Sequence, residues 1–380
     1  MKTLQTTYHT KNRIEFIIDD KPKMGWIGNF NSEKYNRMIL VIDRKVKRIY
    51  GTKIRLQLKR HKKEIITFEV NANEASKSLS FYPKLVSFLE KNNCNLADLV
   101  ICVGGGTVID LVGFTCSTYM RGLPFAVIAT TLIGMVDAST AGKTCLNTEY
   151  SKNLLGTFYY PLFVYCNIYF LDTNLPHFHR QGLSEVFKYG LLGSKKLITT
   201  MGWYIKSRKK SDLTSMIEET IRVRITIRKV HPQASNLGHT FGHAIEKLSN
   251  YRILHGDAIS AGSVIALELG KMMGLTKSSS VENIISMMKK LGLNIYVEKN
   301  LDVDDLLKIM MRDKKSTGKY LNLVLLRDIG VPYRSKDSFF YKLEPRKARN
   351  FLKNFIEEYP YGRKNCASLL KSETLTYQDA

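Results

Sequence analysis

The sequence has no continuous apolar stretch of roughly eighteen residues, the length that a helix needs to cross a membrane. Its first residues lack the apolar core of a secretory signal peptide. The 6 cysteines form no C-x-x-C pair, and most lie in apolar segments, which is typical of reduced core thiols. These absences predict a cytoplasmic protein that has no membrane partner.

Acidic residues are scarce relative to basic ones, since 34 Asp and Glu face 58 Lys and Arg and give a formal net charge of +24. Such a charge is compatible with nucleic-acid binding. The basic residues are nevertheless scattered in small groups, with no recognisable nucleic-acid module and no regular aromatic platform. We therefore predict no nucleic-acid partner, and the same charge would favour an anionic substrate.

The first half of the chain alternates between strand-like and helix-like patterns. Buried strands separated by helices are typical of a parallel sheet of the nucleotide-binding type. Apolar runs predict such strands at 37–43, 65–70, 98–103 and 125–129.

After about residue 172 the strand signals nearly vanish, and only 320–326 reads as a strand. Apolar residues at helical spacing predict helices at 180–192, 213–230, 239–248, 258–273, 281–291 and 303–311. The sequence therefore predicts an α/β nucleotide-binding domain at 1–175, an all-α domain at 176–360 and a disordered tail at 361–380.

A glycine-rich turn at 104–106 follows the strand at 98–103 and opens a helix that runs through Asp110. Glycine lets the backbone approach a phosphate closely, and a helix N-terminus offers free N–H groups. The spacing G-G-G-T-V-I-D differs from the dinucleotide fingerprint G-x-G-x-x-G. A tight strand-to-helix turn without a ligand is the alternative.

Several charged residues are candidates for a site. Lys143, Lys152 and Asn153 occur in loop-like segments of small residues, where they could bind phosphate or hydroxyl groups, although surface lysines are the common case. Glu185 and Lys188 are spaced i, i+3 on a predicted helix with apolar flanks. We expect Glu185 to be partly buried, and a buried carboxylate needs a partner such as a metal. The alternative is a surface ion pair.

Three histidines lie close together in the sequence. His239 and His243 are spaced i, i+4, so a helix would project both rings from one face, about 6 Å apart. His255 follows in Leu-His-Gly-Asp. Neutral imidazole is a common metal ligand, and three nitrogen or oxygen ligands with one open position are typical of a catalytic zinc. The pair alone is a weak signal, because most such histidines lie in the core or on a helix surface.

Taken together, the segments 104–121, 137–158, 182–190 and 236–256 resemble those of the 3-dehydroquinate synthase family of sugar phosphate cyclases, in the family's order. The resemblance extends from about residue 68 to residue 330. It implies an NAD-binding α/β domain and a helical metal-binding domain, with the site in the cleft between them, and a homodimer. It also implies the conversion of 3-deoxy-D-arabino-heptulosonate 7-phosphate to 3-dehydroquinate in the shikimate pathway.

Carried over position by position, the resemblance implies three groups of site residues. A divalent metal, zinc or cobalt, would be ligated by Glu185, His239 and His255. NAD would be bound by Asn73, Glu74, Lys77, Gly105, Gly106, Asp110, Thr130, Thr131, Lys143, Lys152 and Thr173. The catalytic and substrate-binding residues would be Arg121, which reaches across the dimer interface, with Asp137, Lys143, Asn153, Lys188, Asn236, His243 and Lys314.

The sequence departs from the family pattern just before the histidine helix. The segment 229–236 is shorter than in the family and lacks an acidic stretch, including a glutamate implicated in proton transfer, and an arginine that binds substrate. Arg224 stands where a lysine is usual, and the two cations are not interchangeable. Three interpretations follow: an active 3-dehydroquinate synthase, which we prefer, another sugar phosphate cyclase of the same fold, or a degenerate paralogue that binds NAD or metal without turnover.

Overall fold

The computed structural model describes residues 13–149, 152–298, 301–312, 319–336 and 338–358. The chain forms two compact units, the first ending at Phe170 and the second beginning at Leu171. The boundary expected from the sequence, between residues 175 and 176, lies where the first long helix of the second unit begins. Lys314 and the tail expected at 361–380 lie outside the described residues.

The first unit is built on a parallel sheet, as the sequence predicts. Its strands are β1 (Glu15–Asp19), β2 (Arg37–Asp43), β3 (Glu64–Val70), β4 (Leu99–Gly104), β5 (Phe125–Ala129), β6 (Lys143–Leu146), β7 (Leu155–Phe158) and β8 (Phe163–Asn167). Six of them form the sheet in the order β1-β8-β5-β4-β2-β3, and every neighbouring pair is parallel. The other two, β6 and β7, form an antiparallel hairpin. Every residue of β4 and β5 is buried, which explains their unbroken apolar sequences.

Three helices connect these strands: α1 (Arg44–Lys59), α2 (Tyr82–Lys91) and α3 (Gly106–Thr118). The glycine-rich turn leads from β4 directly into α3, so the prediction of a helix opening there is confirmed. Because the first turn of α3 follows the carboxyl end of a central strand, its free N–H groups lie at the edge of the sheet where nucleotides bind in such folds.

The second unit is mainly helical. Its helices are α4 (Pro176–Gly193), α5 (Lys195–Ser207), α6 (Lys210–Val230), α7 (His239–Leu248), α8 (His255–Met272), α9 (Ser278–Lys290), α10 (Val303–Met311) and α11 (Pro345–Glu358). Each helix predicted there is present, with ends that differ by four residues or fewer. In the described part of the chain, no helix combines the length and apolar character needed to span a bilayer.

Short strands also occur in the second unit. They are β9 (Leu321–Leu323), β10 (Leu326–Asp328), β11 (Val331–Pro332) and β12 (Tyr341–Leu343). The antiparallel pairs are β9 with β12 and β10 with β11. The single strand expected at 320–326 is therefore wrong, because the chain changes pairing partner between β9 and β10.

Candidate active site

Three side chains from three helices of the second unit converge. Glu185 lies within α4, while His239 and His255 are the first residues of α7 and α8. The Nε2 atoms of His255 and His239 lie 3.8 and 4.0 Å from Glu185 Oε1. One ligand atom from each residue lies within 4.8 Å of the others. A single metal ion, bonded to each atom at about 2 Å, can bridge such separations.

Hydrogen bonds at the opposite ring nitrogens orient both histidines. His239 Nδ1 lies 3.0 Å from the carbonyl oxygen of Leu237, and His255 Nδ1 lies 3.0 Å from Glu246 Oε2. A carbonyl and a carboxylate accept hydrogen bonds, so in the neutral rings these contacts place the proton on Nδ1 and the lone pair on Nε2, the nitrogen nearer Glu185. Such outer contacts commonly fix the orientation of metal-binding histidines.

Protonation of His239 is strongly disfavoured. Burial, together with the charge of Lys188 and the neighbouring His243 and His255, lowers the pKa of His239 well below its usual value. A neutral imidazole is the form that ligates a metal.

Glu185 is fully buried, and its Oε1 accepts no hydrogen bond from the described residues. Lys188 forms an ion pair with Oε2. That ion pair engages Oε2 and leaves Oε1, the oxygen that faces the two histidines, without a hydrogen bond. Buried polar atoms are rarely left in this state, and a divalent cation would satisfy them. The donor set of one carboxylate and two imidazoles therefore fits zinc or cobalt.

A second group of potential ligand atoms overlaps the first. His243, Glu246 and His255 also bring ligand atoms within 4.8 Å of one another. Glu246 and His255 are already joined by a hydrogen bond, however, and His243 is exposed. We therefore favour Glu185, His239 and His255 as the ligand set. His243 lies beside this set, with its ring centroid 5.2 Å from that of His239.

Glycines set the distance between the two helices that begin with histidine. Gly238 has φ +73°, and a Cβ there would lie 2.6 Å from the carbonyl oxygen of Ile259 in α8. A Cβ at Gly262 would lie 2.2 Å from the carbonyl oxygen of Gly238. Only glycine permits such contacts, so α7 and α8 pack backbone to backbone.

The segment that departs from the family pattern forms a compact turn. Residues Pro232–Asn236 are a short 3₁₀ helix, and the half-buried Asn236 donates from Nδ2 to the carbonyl oxygen of Gln233 at 2.9 Å. Gln233 Oε1 accepts from the backbone N–H of Phe339 at 3.1 Å, and the rings of His231 and Phe339 lie 4.2 Å apart. The shortened connection is thus anchored to the 338–340 segment.

Two cationic side chains, on α4 and α6, lie close to one aromatic ring. The guanidinium carbon of Arg224 lies 5.4 Å from the ring centroid of Tyr189, and Lys188 Nζ lies 4.5 Å from the same centroid. Arg224 and Lys188 are 9% and 2% exposed, so both positive charges are largely desolvated, and that of Lys188 is paired with Glu185. Such charges are strong attractors for an anionic ligand.

In the first unit, the glycine-rich turn packs against Thr131. A Cβ at Gly105 would lie 2.9 Å from the Thr131 side chain, so a larger residue would close the turn. Gly105 caps α3 without a side-chain hydrogen bond, which leaves N–H groups at the helix start for a ligand. Thr130, at the end of β5, donates its N–H to the carbonyl oxygen of Gly104 at 3.0 Å.

Asp110, near the start of α3, forms an ion pair with a lysine from an earlier part of the chain. Lys77 Nζ is 2.5 Å from Asp110 Oδ2, and both side chains are largely buried. Burial opposes the charge on Lys77, but Asp110 outweighs it and raises the pKa of Lys77, so the ammonium is retained.

The β6–β7 hairpin brings together further predicted residues. Asn147 donates from Nδ2 to Glu74 Oε1 at 2.7 Å and accepts from the N–H of Asn153 at 3.1 Å. Lys152 Nζ lies 3.5 Å from Glu74 Oε1. The loop expected at Lys143 is wrong. Lys143 is the exposed first residue of β6, and the side chains of Thr144 and Leu146 in the same strand are buried.

The remaining predicted site residues that the structure describes occupy separate positions in the fold. Asn73 accepts from the N–H of Ser76 and caps a short 3₁₀ helix, which is a structural role that sequence alone did not indicate. Arg121 is exposed and has φ +66°, next to Met120 with φ +49°. The half-buried Gly106 begins α3, Asp137 lies in the wide helical turn Gly134–Ala138, and Thr173 is exposed in the second unit.

Comparison with known proteins identifies the family. Residues 67–180 match the model of the 3-dehydroquinate synthase N-terminal region, and residues 182–316 match that of the C-terminal region. The chain belongs to the 3-dehydroquinate synthase family. The 3-dehydroquinate synthase of Clostridium acetobutylicum is 31% identical over 366 residues, covering 93% of this chain and 99% of that protein. The enzyme of Sulfurisphaera tokodaii is 35% identical over 302 residues, covering 76% and 86%.

Solved structures share the fold of this 3-dehydroquinate synthase family member. The 2-epi-5-epi-valiolone synthase ValA of Streptomyces hygroscopicus, with NAD+ and Zn2+ bound, aligns with a TM-score of 0.80 at 21% identity, covering 93% of this chain and 99% of that one. A 2-deoxy-scyllo-inosose synthase complexed with carbaglucose-6-phosphate, NAD+ and Co2+ aligns with a TM-score of 0.78 at 19% identity, covering 89% and 96%. At these identities the likeness shows the fold alone.

Proposed function

We propose that this protein is a 3-dehydroquinate synthase. It would convert 3-deoxy-D-arabino-heptulosonate 7-phosphate to 3-dehydroquinate as a phosphate-eliminating carbon–oxygen lyase of the shikimate pathway, which leads to aromatic amino acids. The observation that carries the proposal is the buried Glu185 carboxylate, whose Oε1 accepts no hydrogen bond from the described residues and faces the oriented Nε2 atoms of His239 and His255, in a member of this family.

Glu185, His239 and His255 would hold a divalent cation, and residues that lie mainly in the first unit would hold NAD. When bound, NAD accepts and returns a hydride, and the cation polarises the reacting oxygen. The residues proposed for NAD are Asn73, Glu74, Lys77, Gly105, Gly106, Asp110, Thr130, Thr131, Lys143, Lys152 and Thr173. Uncapped N–H groups at the start of α3 support the binding of an anionic pyrophosphate.

Residues of the chain would bind the substrate's charged groups and move its protons. Arg224 supplies buried positive charge that would attract a carboxylate or a phosphate, and Lys188, which pairs with Glu185 in this structure, is the second buried cation proposed to bind the substrate. His243 is exposed beside the proposed ligands, so it can exchange a proton with a bound hydroxyl. The remaining proposed substrate residues are Arg121, Asp137, Lys143, Asn153, Asn236 and Lys314.

The backbone at Arg121 supports a binding role for its side chain. Met120 and Arg121 both have positive φ, a conformation that costs energy in residues other than glycine and is often retained at functional sites. Exposed apolar side chains near the hairpin, Leu154 at 72% and Phe158 at 64%, support the homodimer. The free cysteines of the described residues support a reducing, cytoplasmic location.

The test is phosphate release by the purified protein supplied with NAD and Zn²⁺ or Co²⁺. We expect inorganic phosphate to be released from the heptulosonate phosphate, and we expect His255→Ala to abolish the release. Absence of release, despite bound metal and NAD, would contradict the proposal and support a degenerate paralogue. Release from a different sugar phosphate alone would identify another cyclase.

A further inference from the structure

A buried polar cluster joins the two helices that carry Glu185 and His255, and it includes no proposed ligand. Gln181, on α4, accepts the N–H of Gly256 at 2.5 Å and donates from Nε2 to Asp257 Oδ2 at 2.9 Å. Its side chain is thus hydrogen-bonded at both ends to the first turn of α8, and only 5% of the residue is exposed.

Arg180 strengthens the same junction. Its Nε and Nη2 atoms donate to the two carboxylate oxygens of Asp257 at 2.9 and 3.3 Å. Asp257 therefore accepts hydrogen bonds from two consecutive residues of α4. A bidentate arginine–carboxylate pair has a defined geometry, so the first turn of α8 has a fixed orientation relative to α4.

Gln181 takes the place of a helix cap. The first N–H groups of a helix have no partner within it, and Leu254, which precedes α8, supplies no side-chain cap. The Gly256 N–H is satisfied by Gln181 from another helix instead. A Cβ at Gly256 would lie 2.7 Å from Gln181 Cα, so the two backbones are in direct contact at this point.

The positions of these residues connect the cluster to the metal ligands. Gln181 and Glu185 are spaced i, i+4 on α4 and lie one turn apart on the same face. His255 immediately precedes Gly256. Farther along both helices, Ser260 donates to Ser184 at 2.8 Å. The α4–α8 contacts at Gln181 and Ser184, which lie within the turn that precedes Glu185, therefore constrain the 3.8 Å separation between Glu185 Oε1 and His255 Nε2.

We propose that Gln181 is a positioning residue for the metal site. By holding the start of α8 against α4, it keeps His255 Nε2 directed at Glu185. The inference rests on the proposed function in one respect only, namely that Glu185, His239 and His255 bind a metal. Substitution of Gln181 should then lower the metal affinity by more than the accompanying loss of folding stability would cause.

The experiment is a Co²⁺ titration of the metal-stripped, full-length protein, followed by the visible absorption of the bound ion. The variants are Gln181→Ala and Gln181→Met, of which the second preserves side-chain volume. The matched control is Thr276→Val, which removes the buried 2.5 Å hydrogen bond to the Leu326 carbonyl oxygen beyond the other end of α8. His255→Ala tests the site itself.

We expect both Gln181 variants that fold to bind Co²⁺ about 10–100-fold more weakly, with an altered absorption spectrum, as is usual when an outer contact of a ligand is lost. Thr276→Val should lower the melting temperature but leave affinity and spectrum unchanged. If Gln181→Met binds Co²⁺ with the parental affinity while His255→Ala loses binding, the positioning role of Gln181 is overturned and the metal site stands. Absence of Co²⁺ binding by the parent, or unchanged binding by His255→Ala, would overturn both the site and this inference.

Discussion

Glu185 and Lys188 are charged residues that the protein interior disfavours. Both are almost fully buried, and their ion pair offsets only part of the desolvation cost. Each buried polar group left without a hydrogen bond costs about 1–3 kcal/mol. The metal-free protein therefore carries a local penalty at Glu185 that a bound cation would relieve.

Glu185→Gln should abolish tight metal binding. The amide keeps the shape of the side chain but loses the charge, so we expect Zn²⁺ affinity to fall by more than about 100-fold, because loss of an outer contact alone costs 10–100-fold. Isothermal titration calorimetry measures the change. The control is Glu268→Gln, another buried glutamate, which pairs with Lys271 at 3.6 Å near the far end of α8. Parental affinity in Glu185→Gln would contradict the ligand assignment.

His179 should make the second unit sensitive to acid. Burial, with a smaller contribution from Arg208, lowers the pKa of His179 to about 4, whereas an unfolded histidine titrates near 6.5. The unfolded chain therefore takes up a proton first as the pH falls. Stability is fully present above pH 6.5 and is lost progressively down to about pH 4.

The magnitude follows from this linkage. Between pH 7 and pH 5, His179 should cost the metal-free protein roughly 2 kcal/mol of unfolding free energy. Urea unfolding at both pH values, in the parent and in His179→Gln, isolates this contribution from that of other histidines. We expect a smaller loss in the variant, and an equal loss in both proteins would show that His179 is not the cause.

At the residue scale, the sequence predicts side chains whose chemistry is rare, and it misses those whose role depends on tertiary contacts. Glu185, His239 and His255 were predicted and converge in the structure. Glu246 and Gln181 were not predicted, although they contact the histidine segment. Their positions follow from the packing of α4, α7 and α8, and no local sequence pattern indicates that packing.

At the scale of the elements, glycine contacts between α7 and α8 determine the site. Gly238 and Gly262 allow the backbones to touch, and the two helices start at His239 and His255. A side chain at either glycine would push these helix starts apart.

Gly262→Ala should therefore destabilise the protein by about 1–3 kcal/mol and weaken Zn²⁺ binding, because the new methyl group would overlap the Gly238 carbonyl oxygen. Gly202→Ala is the matched control on α5, where a Cβ meets only Met287 Cε at 3.9 Å. The control should be neutral or stabilising by up to about 1 kcal/mol. Thermal melts and zinc titrations measure both effects. Similar behaviour of the two variants would exclude close helix packing as the determinant of the site.

Strand prediction succeeds for most strands of the sheet and fails for two strands that pair across the length of the first unit. Four of the six sheet strands follow from their apolar runs. The other two, β1 and β8, pair with each other, and β8 ends in the buried Asn167. That amide is satisfied by Asp19 Oδ2 at 3.1 Å, a partner 148 residues away. A buried polar residue of this kind obscures the strand pattern in the sequence.

At the scale of the whole molecule, the proposed NAD residues lie mainly in the first unit and the proposed metal ligands in the second. A ligand stabilises the structure that holds its site. Hydrogen exchange on the intact protein should therefore distinguish the two ligands.

We expect Zn²⁺ to slow amide exchange most in the first turns of α7 and α8, and NAD to slow it most in the first turn of α3 and in β6 and β7. His239→Ala should lose the response to Zn²⁺. Zinc protection confined to the first unit, or NAD protection confined to α7 and α8, would contradict the assignment of residues to the two cofactors.

The most direct test of the central claim is an anomalous-scattering map at the zinc edge from crystals of the zinc-loaded protein. We predict one peak bonded to Glu185, His239 Nε2 and His255 Nε2 at about 2.0–2.2 Å. A peak held by His243 and Glu246 instead, or no peak beside Glu185, would contradict the account.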